Sequence, residues 1–172
     1  MAGGVSLNIA GSEVADDLAR LWARASAHRR RLPIPVAPEP EQVAALAHRV
    51  GRPGAAAVVA VDDDVAVGCC FFEPLTEPDR ETIIDGAANL SGVAVEPDRW
   101  GEGLATALLD FAEAEVRRRG FRLLRLHVLE ENERARALYE HLGWSLVATG
   151  YADHSGPQAV YDKFLTQHPR CH

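Results

Sequence analysis

The chain has 172 residues, 47% of them apolar and 25% charged, the proportions of an ordinary globular domain. A formal net charge of −7 argues against nucleic acid as the main partner, and no run is long and apolar enough to span a membrane. The opening Met1-Ala2-Gly3-Gly4 lacks a charged stretch followed by an apolar core, so no signal peptide is expected. Three cysteines, two of them neighbours (Cys69 and Cys70), make neither a disulfide framework nor a zinc spacing, and a reducing cytoplasm is the expected setting. At this length a single domain over residues 1–172 with one core is expected.

In chain order, Val5 to Ile9 reads as a first strand. Gly11-Ser12 opens a helix whose apolar stripe is Val14, Leu18, Leu21 and Trp22. Leu32 to Pro40 holds four prolines and reads as a loop. Glu39 to Val50 is a second helix, with Val43, Leu46 and Ala47 inward and Gly51 just past its end. Ala55 to Val61 and Val65 to Phe72 are strands joined by Asp62-Asp63-Asp64. That acidic run reads as a hairpin turn, since no further ligands arrive at metal spacing. Pro74 to Asp85 is polar and reads as a loop. The arginine runs 29–31 and 117–119 read as solvated helix ends.

Leu90 to Val95 is apolar and β-branched, so it reads as the fourth strand, and Glu96-Pro97-Asp98 stops it. Gly101 and Gly103 follow, and a helical pattern starts at once, with Leu104, Ala105, Leu108, Leu109, Ala112 and Val116 on one face. Strand, glycine turn and helix together suit an anion, because glycine lets a ligand approach the backbone and the first helical N–H groups point at it. No Lys completes a Walker loop, and Thr106 stands where the dinucleotide fingerprint needs Gly. Phe121 to Leu129 is the next strand, where Arg125 and His127 break the apolar rule for a buried parallel strand. Asn132 to Trp144 then carries a helix cap at its start and a glycine, Gly143, at its end. Trp144 to Thr149 and Gln158 to Leu165 read as the last strands, around a His154-Ser155-Gly156-Pro157 turn.

Two of these segments resemble the GNAT superfamily of N-acetyltransferases. Trp100-Gly101-Glu102-Gly103-Leu104-Ala105 is similar to its [QR]-x-x-G-x-[GA] pyrophosphate loop. Asn132-Glu133-Arg134-Ala135-Arg136-Ala137-Leu138-Tyr139-Glu140-His141-Leu142-Gly143-Trp144 is similar to its N-x-x-A-x-x-x-Y-x-x-x-G-[FW] signature. The close match runs from about Leu90 to Thr149. Trp100 departs from the pattern, standing where the family has Gln or Arg; Arg99 is the adjacent cation. The resemblance implies an α/β (α+β) fold, with a mixed, mostly antiparallel sheet of about seven strands flanked by about four helices and strands four and five splayed. It also implies acetyl-CoA as co-substrate, no metal, and an amine acceptor, either a small molecule or a protein N-terminus. A homodimer is left open.

The same resemblance assigns coenzyme contacts to Val93, Ala94, Val95, Arg99, Trp100, Gly101, Glu102, Gly103, Leu104, Ala105, Thr106, Asn132 and Tyr139. Within these, the backbones of Val93 and Val95 would pair with the pantetheine amides, and the Val95 N–H would serve the carbonyl oxygen. Tyr139 takes the role of general acid: a phenol of pKa about 10 stays protonated at neutral pH and can donate to a departing thiolate. His127 matches a strand position that carries a Glu base in some members, and an unperturbed His titrates near neutral pH. Glu130, Glu73 and a relayed water are the alternatives. The acceptor segments, about 22–38 and 74–87, match no signature, and Arg24, Arg29 and Arg30 hint at an acidic feature on the acceptor. The reading of a different class is a non-catalytic coenzyme-A-binding sensor or interaction module.

Overall fold

The computed structural model describes residues 4–153 and 155–166. The strands are β1 (Ser6–Ala10), β2 (Ala56–Asp62), β3 (Val65–Thr76), β4 (Ile83–Val95), β5 (Leu123–Leu129), β6 (Ser145–Asp153) and β7 (Gly156–Phe164). The helices are α1 (Ala15–Arg29), α2 (Pro40–Val50), α3 (Leu104–Arg118) and α4 (Glu133–His141). The strands form a mixed sheet in the order β1-β2-β3-β4-β5-β7-β6. The described residues cluster into two compact units, one drawn from 4–73 and 92–114, the other from 74–91 and from the described residues of 115–166.

In the first unit, α1 carries Asp16 and Asp17 in its first turn and His28 and Arg29 in its last, the charge order that suits the helix dipole. Leu18 and Leu21 face inward, but Trp22 is 44% exposed, so the expected stripe ends at Leu21 and continues to Ala25 instead. Pro40 starts α2 at a position where its missing N–H costs nothing. β2 and β3 join through Asp63 and Asp64, both at positive φ (48° and 63°), as a two-residue hairpin turn requires. Leu18, Leu21, Val50, Val59, Cys69 and Phe71 pack together with Ala94. The alternate β3 positions look the other way, onto α3. A Cβ at Gly68 would lie 3.0 Å from Leu108 Cδ1, and Cys70 Sγ lies 3.9 Å from the Leu108 carbonyl. The helices α1 and α2 therefore cover one face of this unit and α3 the other.

In the second unit, β4 runs parallel to β5 from Ala87↔Leu123 to Leu90↔Leu126, and the pairing goes no further. β5 continues to Leu129 paired with β7 alone. The pairing of strands four and five thus ends part-way along β4, where the family resemblance implied a splay. Leu124, Leu126, Val128, Ala159 and Tyr161 make the buried face, and α4 lies over it. The expected loop from Pro74 to Asp85 is shorter than its composition suggested. β3 runs on through Pro74 to Thr76 and β4 already begins at Ile83, leaving 77–82 as the connection. Asp79 closes it, its carboxylate accepting from the N–H groups of Glu81 and Thr82 and from the Thr82 hydroxyl. His154, in the last expected turn, lies outside the described residues.

Candidate active site

The first unit supplies an anion cradle. β4 ends at Val95, Pro97–Arg99 forms one short helical turn, and Gly101 and Gly103 take φ of 90° and 81°. That region favours glycine over any residue with a Cβ. A Cβ built on either glycine meets nothing within 4 Å. The glycines are therefore not there to let protein atoms pack; they leave the backbone open on the outside. The first backbone bond of α3 runs from Ala107 N–H to the Gly103 carbonyl at 3.1 Å, so the N–H groups just before it have no partner inside the helix. A backbone of this kind fits a pyrophosphate, and with it acetyl-CoA.

The side chains around the turn hold its shape. Arg99 donates to Glu102 Oε2 (2.6 Å) and Asp62 Oδ2 (2.9 Å), and these carboxylates, Glu102 foremost, raise the guanidinium pKa above its ordinary value. Trp100 turns its indole back onto the strand, where Nε1 donates to the Val95 carbonyl at 2.8 Å, and the His28 ring meets it edge-on at 4.9 Å. The residue that replaces the family's Gln or Arg thus ties the cradle to the end of β4. Arg24, once a candidate for reading an acidic acceptor, is engaged by Glu96 at 2.6 to 2.7 Å; Arg20 stands 3.7 Å from the same carboxylate. Val93 is half-buried, and Ala94 and Val95 are buried. The thiols stay out of the chemistry: burial pushes Cys69 up to about 12 and raises Cys70 as well.

The second unit holds the candidate proton donors and acceptors. Asn132 Oδ1 caps α4 by accepting from Ala135 N–H at 3.3 Å. The helix closes with Gly143 at φ 90°, Gly143 N–H on the Glu140 carbonyl (3.2 Å) and Trp144 N–H on the Tyr139 carbonyl (3.0 Å). Tyr139 is only 6% exposed, its ring 6.1 Å from that of Trp144 and 6.2 Å from that of Tyr161. Tyr161 was not foreseen. Its hydroxyl donates to Glu140 Oε1 (2.7 Å) and accepts from Arg136 Nε (3.1 Å), which fixes α4 on the sheet. The only hint in the sequence was the i, i+4 spacing of Arg136 and Glu140. Burial, foremost, raises the pKa of the Tyr161 phenol and keeps it neutral.

His127 is exposed and alternates with buried Leu126, so it occupies the face of β5 opposite the one α4 covers. It is also the first β5 residue past the last β4 partner. Tyr139 and His127 are thus not on one face. Arg125, the other polar residue on this strand, binds Asp162 across the β5–β7 pair through two bonds of 2.7 and 2.9 Å. Of the alternative bases, Glu130 accepts from Gly150 N–H at 2.8 Å, and Glu73 is held by Arg49, with Arg52 3.7 Å away. No group of three or more potential metal ligands occurs among the described residues.

Over 56 residues the chain is 48% identical to a mycothiol acetyltransferase of Beutenbergia cavernae, a match covering 33% of this chain and 19% of that protein. Over 65 residues it is 43% identical to the [ribosomal protein bS18]-alanine N-acetyltransferase of Escherichia coli K12, covering 38% of this chain and 43% of that protein. The chain therefore spans less than half the length of these curated relatives. The crystal structure of the ribosomal-protein-S18-alanine N-acetyltransferase from Escherichia coli superposes with a TM-score of 0.72 at 18% identity, covering 97% of each chain. YncA from Salmonella typhimurium, solved with its cofactor acetyl-CoA, gives 0.71 at 19% identity, covering 97% of this chain and 99% of that one. These two show the fold. The model of the Acetyltransferase (GNAT) family matches residues 20–144, nearly three-quarters of the sequence, and so the chain belongs to the GNAT family of acetyltransferases.

Proposed function

We propose that the chain is an acetyl-CoA-dependent N-acetyltransferase, acting as one domain, that moves the acetyl group directly to a primary amine of a small molecule or of a protein N-terminus. The observation that carries this is the pair of positive-φ glycines whose Cβ directions are open, placed between a strand end and a helix N-terminus. Backbone N–H groups there would hold the pyrophosphate, and acetyl-CoA would supply the activated thioester. The Val95 N–H would face the carbonyl oxygen as charge builds on it. Tyr139 would give its proton to the departing thiolate, and His127 would take one from the attacking amine. These two jobs serve different atoms on the same carbonyl carbon, sulfur for the acid and nitrogen for the base.

Release of the coenzyme thiol from acetyl-CoA, measured against a panel of primary amines, tests the reading. The panel includes peptides that begin with alanine, the residue named for the Escherichia coli relative. Thiol release that depends on both protein and amine, with the acetylated amine identified by mass, is the expected result. Release no faster than without protein, for every amine, would refute it.

A further inference from the structure

The peptide that joins Val95 to Glu96 is held at both ends. Its N–H, on Glu96, donates to the Val67 carbonyl of β3 at 2.8 Å. Its carbonyl, on Val95, accepts from Trp100 Nε1 at 2.8 Å. In a trans peptide the N–H and C=O point in opposite directions, so the Val95 carbonyl and the indole bound to it lie on the edge of β4 away from β3. Val95 is the last residue of β4, and an extended residue sends its own N–H to the same edge as its carbonyl. By strand order β5 is the neighbour on that edge, but its register with β4 ends at Leu90, so the backbone edge at Val95 has no registered strand. The indole is itself braced. Arg20, Arg24 and His28 follow at four-residue spacing along one face of α1. Arg24 and Arg20 engage the Glu96 carboxylate, and the exposed His28 meets the indole edge-on.

We propose that Trp100 is a positioning residue for acetyl transfer: by taking the Val95 carbonyl it makes this edge of β4 a donor only, with the Val95 N–H turned to the oxygen of the acetyl group. The inference rests on the acetyl-transfer reading. As the amine nitrogen bonds to the acetyl carbon, the carbonyl electron pair moves onto oxygen, and it returns as the C–S bond breaks and its electrons leave on sulfur. Tyr139 gives a proton to sulfur and His127 takes one from nitrogen, so Trp100 gains and loses none. A bare Val95 carbonyl would set its own partial negative charge beside the oxygen that becomes negative, and the peptide would be held at one end only. The indole N–H removes both faults. Where the family pattern has Gln or Arg, this chain has a side chain whose single donor is used on the strand.

The test compares wild type, Trp100→Phe and His28→Ala on an amine from the thiol-release panel. Trp100→Phe keeps a ring at a half-buried position and loses the N–H. It should lower kcat about tenfold, less than outright removal of an oxyanion donor costs, while CoA affinity stays close to wild type. His28→Ala removes the brace and leaves the N–H, and should keep more than about half of kcat. An unchanged kcat in Trp100→Phe, a fall in CoA affinity as large as the fall in kcat, or an equal kcat loss in His28→Ala would overturn the inference. A second readout needs no acceptor. In protein labelled with heavy nitrogen at valine, the Val95 amide resonance is identified by its absence from Val95→Ile. It should differ between the acetyl-CoA and CoA complexes of the wild type, and that difference should vanish in Trp100→Phe. No difference in the wild type, or one that persists in Trp100→Phe, overturns the proposal even if amines are acetylated. A difference that depends on Trp100, with no amine turned over, supports the contact and removes the transfer reading alone.

Discussion

Gly92→Ala measures how much of the first unit depends on one missing methyl group. Gly92 sits in β4 at a φ of 64°, where an L residue costs roughly 1–2 kcal/mol. The added Cβ would stand 2.9 Å from Phe71 Cε1 and 3.0 Å from Cδ1. That ring is 1% exposed, belongs to the central apolar cluster and carries the Arg49 guanidinium 4.8 Å from its centre, so it has little room to retreat. Overpacking of this kind costs about 1–3 kcal/mol. The two effects together give a loss of about 2–5 kcal/mol, or a melting temperature lower by about 4–20 °C at this chain length. Urea unfolding at constant slope gives the loss, and Phe71→Leu separates its parts. In the double variant the steric share should be recovered and the backbone share should remain, so the two substitutions couple favourably. A loss under about 0.5 kcal/mol, or strict additivity with Phe71→Leu, would show that the ring does not confine this position.

Acetyl-CoA should raise the melting temperature of the wild type by mass action, and Gly103→Val should abolish that rise while the protein stays folded, because the new side chain projects from the open side of the cradle; undiminished binding would refute the cradle. Tyr139→Phe keeps the buried ring and should leave melting and coenzyme affinity close to wild type while turnover drops roughly a hundredfold; full turnover on a confirmed acceptor would remove the general acid. The Arg118 side chain, then Arg119, hold the Glu115 carboxyl down from 4.5 to about 2 against the opposing effect of burial. A lowered folded-state pKa contributes stability that is present above the unfolded value and lost as the pH falls toward about 2. Glu115→Gln should therefore be less stable than wild type near neutral pH, with the gap closing across that acid range in urea midpoints; a gap independent of pH would contradict it.

What could be read from the residues was what rests on backbone geometry. Glycine at positive φ has few substitutes, so the Gly101/Gly103 turn and the Gly143 helix end stood out in one dimension, and so did the Asn132 cap. The extent of β3 and β4 did not, because Pro74 and the polar stretch after it look like a loop, whereas β3 runs on to Thr76 and β4 begins at Ile83. Trp22 misled for a different reason: one position past Leu21 on a helix is a turn of about 100°, enough to move a large ring from the core to the rim. The Arg125 break in an apolar strand was visible, but its cause, Asp162, lies 37 residues away and is found only through the β5–β7 pairing.

The four registered pairs between β4 and β5 also bear on how the chain folds. The β2–β3 hairpin closes through two residues and can form early. Leu90 and Leu126 can meet only after α3 and the rest of the intervening chain have been looped out, an entropic cost that falls due before any of the four pairs can form. The crossover is therefore expected to be the slow step of refolding, with Leu90 and Leu126 in its nucleus. Shortening either side chain should act mainly on the refolding rate, while changes in the β2–β3 turn should act mainly on unfolding. The end of the β4–β5 pairing at Leu90 and Leu126 also limits how many pairs are available to nucleate the seam.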